Sequence, residues 1–148
     1  MTPNIPGLAE ETPLCLFCKI AKRQTEAAIL FEDEISLAFL DTRPLFSGHC
    51  LLVPKAHYET LADLPKKLIG PLFSNAQDLA GAVKSAMNAE GTFVAMNNTV
   101  SQSIPHFHIH IVPRRKKDGL RGFFWPRRTY SSEDEMTAVR DLLSSRLK

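Results

Sequence analysis

The sequence predicts an α+β fold: an antiparallel five-stranded sheet with one long helix and a C-terminal helix. Three observations predict it. Short apolar runs bounded by turn residues recur before residue 55 and again between residues 92 and 112, as strands do. One long stretch between them keeps apolar residues at helical spacing. The last segment opens on serine followed by three acidic residues, the pattern of a helix N-terminus. Strands grouped around one helix, with a helix added at the end, read as α+β.

Residues 28–32 and 35–41 are apolar runs on either side of Asp33-Glu34, which predicts a hairpin. Residues 49–54 form a third strand, entered through Ser47-Gly48. Leu64-Pro65 opens the long helix, with proline early, where its missing N–H costs little. Leu68, Leu72, Leu79, Val83 and Met87 keep its apolar face, Gly91 is its predicted stop, and Pro71 is expected to kink or delay it. Residues 92–96 are the fourth strand and 107–112 the fifth. The terminal helix starts at Ser131 or Ser132, with Met136, Val139, Leu142, Leu143 and Leu147 as its apolar stripe.

A chain of 148 residues with 44% hydrophobic content is long enough for one domain with a real core. Residues 1–13, Pro-rich and without the apolar stretch of a signal peptide, read as a flexible leader, and 14–148 as a single domain. A net charge of +2 gives no general argument for a nucleic-acid polymer as partner. No apolar run approaches the roughly 20 residues that span a bilayer, so a cytoplasmic protein is expected. Three cysteines fit a reduced compartment better than a disulfide scaffold. Basic residues crowd between Arg114 and Arg128, either as a solvated loop or as a field that favours an anionic ligand.

The run His106-Phe107-His108-Ile109-His110-Ile111-Val112 carries the chemistry. In a strand, alternate residues lie roughly 6.5–7 Å apart on one face. The three histidines would line one side while Phe107, Ile109 and Ile111 enter the core. Packing alone is a poor explanation for such a row. A catalytic metal site and a nucleophilic imidazole that attacks phosphorus are the two chemical readings. Cys15-Leu16-Phe17-Cys18 has the spacing of half a zinc site, for which His57 and one histidine of the run are the candidate further ligands, and also suits a redox pair or two small buried residues. Cys50 reads as core. Trp125 reads as an aromatic near a nucleotide, at a dimer interface, or simply anchoring a loop.

The histidine run resembles the signature of the histidine triad (HIT) family, three histidines alternating with apolar residues. The resemblance extends to Cys15-Leu16-Phe17-Cys18-Lys19-Ile20, to Leu37-Ala38-Phe39-Leu40-Asp41, to Gly48-His49-Cys50-Leu51-Leu52-Val53-Pro54-Lys55 and to Ser101-Gln102-Ser103, in the family's order. It implies a homodimer of α+β subunits that hydrolyses or transfers nucleotidyl groups through a covalent nucleotidyl-histidine. It implies His108 as nucleophile, His110 as a phosphate contact, and His49 as the residue that adjoins the nucleophile and helps set its tautomer. Gln102 and Ser103 resemble the donors to phosphate and leaving-group oxygens, Asp41 the acceptor from ribose hydroxyls, and Asn97 (or Asn98 beside it) the polar residue near the α-phosphate. In the cysteine-bearing bacterial members, which are Hint-like, the matching residues bind structural Zn2+; here they are Cys15, Cys18, His57 and His106. The expected activity is cleavage of purine nucleoside 5′-phosphoramidates or related nucleotidyl substrates. Dinucleoside polyphosphate hydrolysis, as in the Fhit-like branch, is the alternative, and a nucleotide-binding or interaction module with incidental activity is a third reading. One departure is visible: the loop before Gln102 is short and has Ser101 where the family usually has glycine.

Overall fold

The computed structural model describes residues 14–120 and 127–147, so the leader expected over 1–13 and the segment containing Trp125 lie outside the described residues. The described chain forms two compact units, the first ending at Lys116 and the second beginning at Lys117.

The first unit contains α1 (Leu16–Ala21), β1 (Ile29–Glu32), β2 (Ser36–Leu40), β3 (Cys50–Pro54), α2 (Lys66–Ala86), β4 (Gly91–Ala95) and β5 (Ile109–Arg114). Its five strands make one antiparallel sheet in the order β1-β2-β3-β5-β4. The second unit carries α3 (Glu133–Arg146). The α+β class, the five strands, the long helix and the terminal helix all agree with the sequence reading.

The β1–β2 hairpin is built by its turn. The Asp33 carboxylate accepts the Ile35 and Ser36 N–H groups at 3.0 and 2.8 Å, and Asn75 from α2 donates to its other oxygen at 2.7 Å. One side chain thus closes the turn and ties it to the helix. α2 buries Leu72, Ala76, Leu79 and Val83 against Ala38, Cys50, Leu52, Phe107, Ile109 and Ile111. Full burial of one such leucine stabilises the fold by about 1.5–3 kcal/mol.

α1 was not foreseen. It packs Cys15, Phe17, Cys18 and Ile20 against Leu37, Phe39, Leu51 and Val53. The two cores use alternate residues of the same strands, so the sheet is covered on both faces. This is why β3 is buried along its whole length. α1 has six residues, too few for a periodic signal, and its N-cap is the Cys15 thiol, which accepts from the Cys18 N–H.

α2 starts at Lys66 and carries Pro71 inside it, so the proline does not delay the helix. It stops at Met87, not at Gly91, because Asn88 turns left-handed (φ 48°), and Gly91 instead opens β4. β5 begins at Ile109 rather than Phe107. The Phe107 N–H leaves the ladder for the Tyr58 carbonyl at 2.6 Å, and the His106 N–H bonds to Ile104. Only His110 of the triad therefore lies on the paired strand. Gly48 has φ +95°, and a Cβ there would sit 2.6 Å from Met87 Cγ, so the approach to His49 requires glycine.

Ser132 caps α3, its hydroxyl accepting the Glu135 N–H at 3.1 Å while the Glu135 carboxylate accepts from Ser131. The expected apolar stripe is largely uncovered among the described residues: Met136, Leu142, Leu143 and Leu147 are exposed.

Candidate active site and metal centre

Two histidine clusters flank the start of β5. The first gathers Cys15 and Cys18 from α1, His57 from the loop after β3, and His106. Their ligating atoms all lie within 4.8 Å of one another. His106 Nδ1 is 3.3 Å from Cys15 Sγ, 3.5 Å from Cys18 Sγ and 3.2 Å from His57 Nδ1, and Cys18 Sγ is 3.3 Å from His57 Nδ1. Zinc bonds of about 2.0–2.3 Å in tetrahedral geometry put donors roughly 3.3–3.8 Å apart. The cluster fits that spacing. His106 Nε2–H donates to the Pro54 carbonyl at 2.8 Å, which leaves Nδ1 unprotonated for a metal and fixes the ring. Burial pushes the His106 imidazole down to about 4, so it is neutral and able to ligate. Two thiols and two imidazoles form a soft, closed donor set. Such a set holds zinc as a structural ion and leaves no coordination position for substrate.

The second cluster is Asp41, His49, His108 and His110. Its proton positions follow from its partners. The Leu45 N–H donates to His49 Nδ1 at 3.0 Å, so the neutral ring carries its proton on Nε2. That proton points at His110 Nδ1, 3.0 Å away, which leaves His110 with an Nε2–H. His108 Nδ1–H donates to the His106 carbonyl at 2.7 Å, which leaves Nε2 bare. A bare Nε2 on a ring whose other nitrogen is held to backbone is the nucleophilic form of imidazole. His49 therefore orients His110, and the His106 carbonyl sets the tautomer of His108. The hydrogen bond of His49 Nε2 thus goes to His110, the neighbour of His108 in the triad.

His108 and His110, whose ring centroids are 4.9 Å apart, open onto a cavity of about 440 Å³. Leu16, Phe17, Ile20, Phe39, Leu51 and Ile104 make its apolar wall, and Asp41, Arg43, Glu26 and Ser103 its polar rim. The shape suits a flat apolar ring at one part and a polar, anionic group at another. The Asp41 carboxylate accepts the Arg43 N–H at 2.9 Å and lies 3.6 Å from His49 Nε2. Cys50, deep in the other core, has its thiol pushed up to about 11 by burial and is chemically idle.

Not every residue singled out by sequence reaches the cavity. Gln102 donates to the Glu59 carbonyl at 2.6 Å and accepts from the Thr99 N–H at 2.9 Å, so its amide is engaged away from the histidines. Asn98 accepts the Leu61 N–H at 2.7 Å, and Asn97 is exposed. Neither asparagine lines the cavity. The short loop bears strain: Thr99 and Ser101 have φ of 70° and 61°. Ser101→Gly is expected to raise stability by about 0.5–1 kcal/mol, since a left-handed non-glycine residue costs about 1–2 kcal/mol and glycine returns part of that as entropy. A lower denaturation midpoint for Ser101→Gly would contradict it. In the basic run, Arg115 bonds to the Met87 carbonyl and Lys116 pairs with Glu90, and neither lines the cavity.

Burial lowers the pKa of His49, His108 and His110 from 6.5, with Asp41 partly opposing the shift in each. His110, which also faces His108 and His49, falls to about 4. All three are neutral at pH 7. Because the folded values are depressed, the unfolded chain binds protons first on acidification. Their contribution to stability is whole above pH 6.5 and is lost as pH falls from 6.5 toward 4. For the same reason the acid limb of kcat/KM is expected below pH 6.5, and a pH–rate profile with that limb at 6.5 or above would contradict it.

The fold and site thus define an α+β protein with a histidine cluster opening on a cavity, beside a thiol–imidazole cluster that could hold a metal ion. The HIT domain model matches residues 22–117, and the chain belongs to that family. It is 37% identical over 108 residues to the adenylylsulfatase HINT3 of Arabidopsis thaliana, covering 72% of this chain and 55% of that protein. It is 36% identical over 109 residues to the adenosine 5′-monophosphoramidase HNT1 of Saccharomyces cerevisiae, covering 72% of this chain and 66% of that protein. The match thus spans little more than half the length of the first relative. A crystal structure of a Zn-bound histidine triad family protein from Mycobacterium smegmatis superposes with a TM-score of 0.69 at 32% identity, over 89% of this chain and 94% of that one. Among the described residues, no helix is long and apolar enough to cross a membrane.

Proposed function

We propose that this protein is a nucleotide hydrolase or transferase that cleaves purine nucleoside 5′-phosphoramidates, or related nucleotidyl substrates, at the α-phosphorus. The observation that carries the reading is His108, with a bare Nε2 opening on a cavity and a backbone-held Nδ1–H. Its Nε2 attacks phosphorus and forms a P–Nε2 bond, the substrate's P–N bond breaks, and the departing nitrogen takes a proton from solvent, relayed by the Ser103 hydroxyl. Water then attacks nucleotidyl-His108: the P–O bond forms, the P–Nε2 bond breaks, the water's proton passes to solvent, and the neutral imidazole returns. His110 donates its Nε2–H to a phosphate oxygen, and His49 keeps that proton in place. Neutral donors aimed at developing charge are what such a transition state requires. Ser103 serves as donor to the leaving group, a role supported by its position on the cavity rim. Asp41 accepts from the ribose hydroxyls. Gln102 and Asn97 reach the phosphate only after their loop rearranges, since the Gln102 amide must first leave Glu59.

In this reading Zn2+ is held by Cys15, Cys18, His57 and His106 and is structural, as in the Hint-like bacterial branch. The donor spacing and the Zn-bound mycobacterial relative support it. The protein works as a cytoplasmic homodimer, and 14–148 acts as one HIT domain. The named activities of the plant and yeast relatives, adenylylsulfatase and adenosine 5′-monophosphoramidase, support a nucleotidyl substrate.

The test is release of nucleoside monophosphate from an adenosine 5′-phosphoramidate, beside a dinucleoside polyphosphate at equal concentration. Faster turnover of the phosphoramidate is expected. Turnover of the polyphosphate alone would move the protein to the Fhit-like alternative, and binding without turnover of either would leave a nucleotide-binding module.

A further inference from the structure

The cysteine pair and the nucleophile are joined by one side chain. Phe17 stands between Cys15 and Cys18 and is 4% exposed. Its ring meets three others at their edges or faces: Phe39 at 5.3 Å and 62°, His106 at 5.8 Å and 75°, and His108 at 5.1 Å and 84°. These are the separations and angles of favourable aromatic pairs.

His108 needs such a neighbour. Its hydrogen bond to the His106 carbonyl fixes one nitrogen, but a ring flip would put Cδ2 in the place of Nδ1 and Cε1 in the place of Nε2, break that bond and turn the bare nitrogen away from its position. The flip is resisted by what packs on the ring. His110 lies on it at 4.9 Å and is itself held by His49. Phe17 is a second ring in contact, and a phenyl group has no polar tether of its own. A six-residue helix is far too short to stand alone in water. α1 is fixed by burial and by the two thiols, which face His57 and His106.

We infer that Phe17 is a positioning residue for His108, and that the flanking cysteines hold Phe17 in place, so that loading of the metal centre is transmitted to the nucleophile. The inference rests on the reading of His108 as nucleophile. Phe17 also lines the cavity, and a mere wall residue would affect substrate affinity alone.

The first measurement is in the wild-type, zinc-loaded protein: nuclear Overhauser contacts between the Phe17 ring protons and the His108 ring protons. They are expected, and their absence overturns the inference without any variant. The second compares wild type with Phe17→Leu at equal zinc content. Long-range proton–nitrogen imidazole spectra, with His108→Ala to assign the signals, are expected to show His108 passing from one tautomer to an averaged pattern. With an adenosine 5′-phosphoramidate, kcat is expected to fall about 10-fold while KM changes less than about 3-fold. A raised KM with unchanged kcat and an unchanged His108 tautomer would show a wall residue and sink the inference. Should the wild type not turn over the phosphoramidate, the functional reading fails on its own, and the spectra still decide the role of Phe17.

Discussion

Replacing His108 with alanine is expected to lower kcat/KM for nucleotide release by about 10⁴-fold or more in a protein that remains folded. Covalent catalysis gives the nucleophile no substitute, and removing such a residue leaves only what binding and transition-state donors supply. No neighbour is placed to replace it. His110 has its Nδ1 occupied by His49 and presents a proton, not a lone pair, to the cavity. His106 has Nε2 bound to the Pro54 carbonyl and Nδ1 turned to the cysteines. The cost in stability is small beside this: one hydrogen bond and two ring contacts, about 1–3 kcal/mol. Mass spectra of enzyme quenched in alkali during turnover should show a nucleotidyl adduct in wild type and none in His108→Ala. Turnover by a folded His108→Ala protein within tenfold of wild type would mean that another group attacks phosphorus.

The periodicities made most of the fold legible. Strands β2 and β3 and the helix α2 are long enough for alternation or helical spacing to show, and each was located from sequence alone. The misses are local and have separate causes. β5 starts late because the Phe107 N–H is claimed by Tyr58, a partner 49 residues away that no local pattern announces. α1 escaped notice because six residues hold little periodicity and a cysteine is an unusual cap. The end of α2 was readable, since asparagine tolerates the left-handed turn, but the glycine further on drew the boundary.

The site divides in the same way. The spacing of Cys15 and Cys18 gave half of the candidate metal cluster, with His57 and one histidine of the row as the further candidates, and the family resemblance singled out His106. The histidine row pointed to chemistry without assigning protons. Those assignments rest on a backbone N–H at Leu45 and a carbonyl at His106, groups that every residue carries and that no motif can single out. Gln102 matches the family in residue type, and in this structure its amide bonds to the Glu59 carbonyl, a contact that no local pattern announces.

Removing metal from the thiol–imidazole cluster is expected to lower the melting temperature by about 8–16 °C. The donors come from α1, from the loop after β3 and from the approach to β5. The contacts between them close separations of 39, 88 and 91 residues. An ion there ties together segments that packing alone holds less firmly. Free zinc a thousandfold above its Kd stabilises the native state by about 4 kcal/mol, and each kcal/mol is worth roughly 2–4 °C in a chain of this size. His106 Nδ1 lies 3.2–3.5 Å from Cys15, Cys18 and His57, so an ion bound there would bridge donors that are already gathered. Cys15→Ser should mimic removal, because a hydroxyl is a poor zinc ligand, while serine still serves as an N-cap for α1. Activity should fall only as far as α1 and Phe17 loosen, and it should return with added zinc. Metal analysis of the purified protein and parallel melting and turnover curves separate the readings. Complete loss of turnover at an unchanged melting temperature would make the ion catalytic. No bound metal, with Cys15→Ser melting like wild type, would reduce the cluster to four buried side chains.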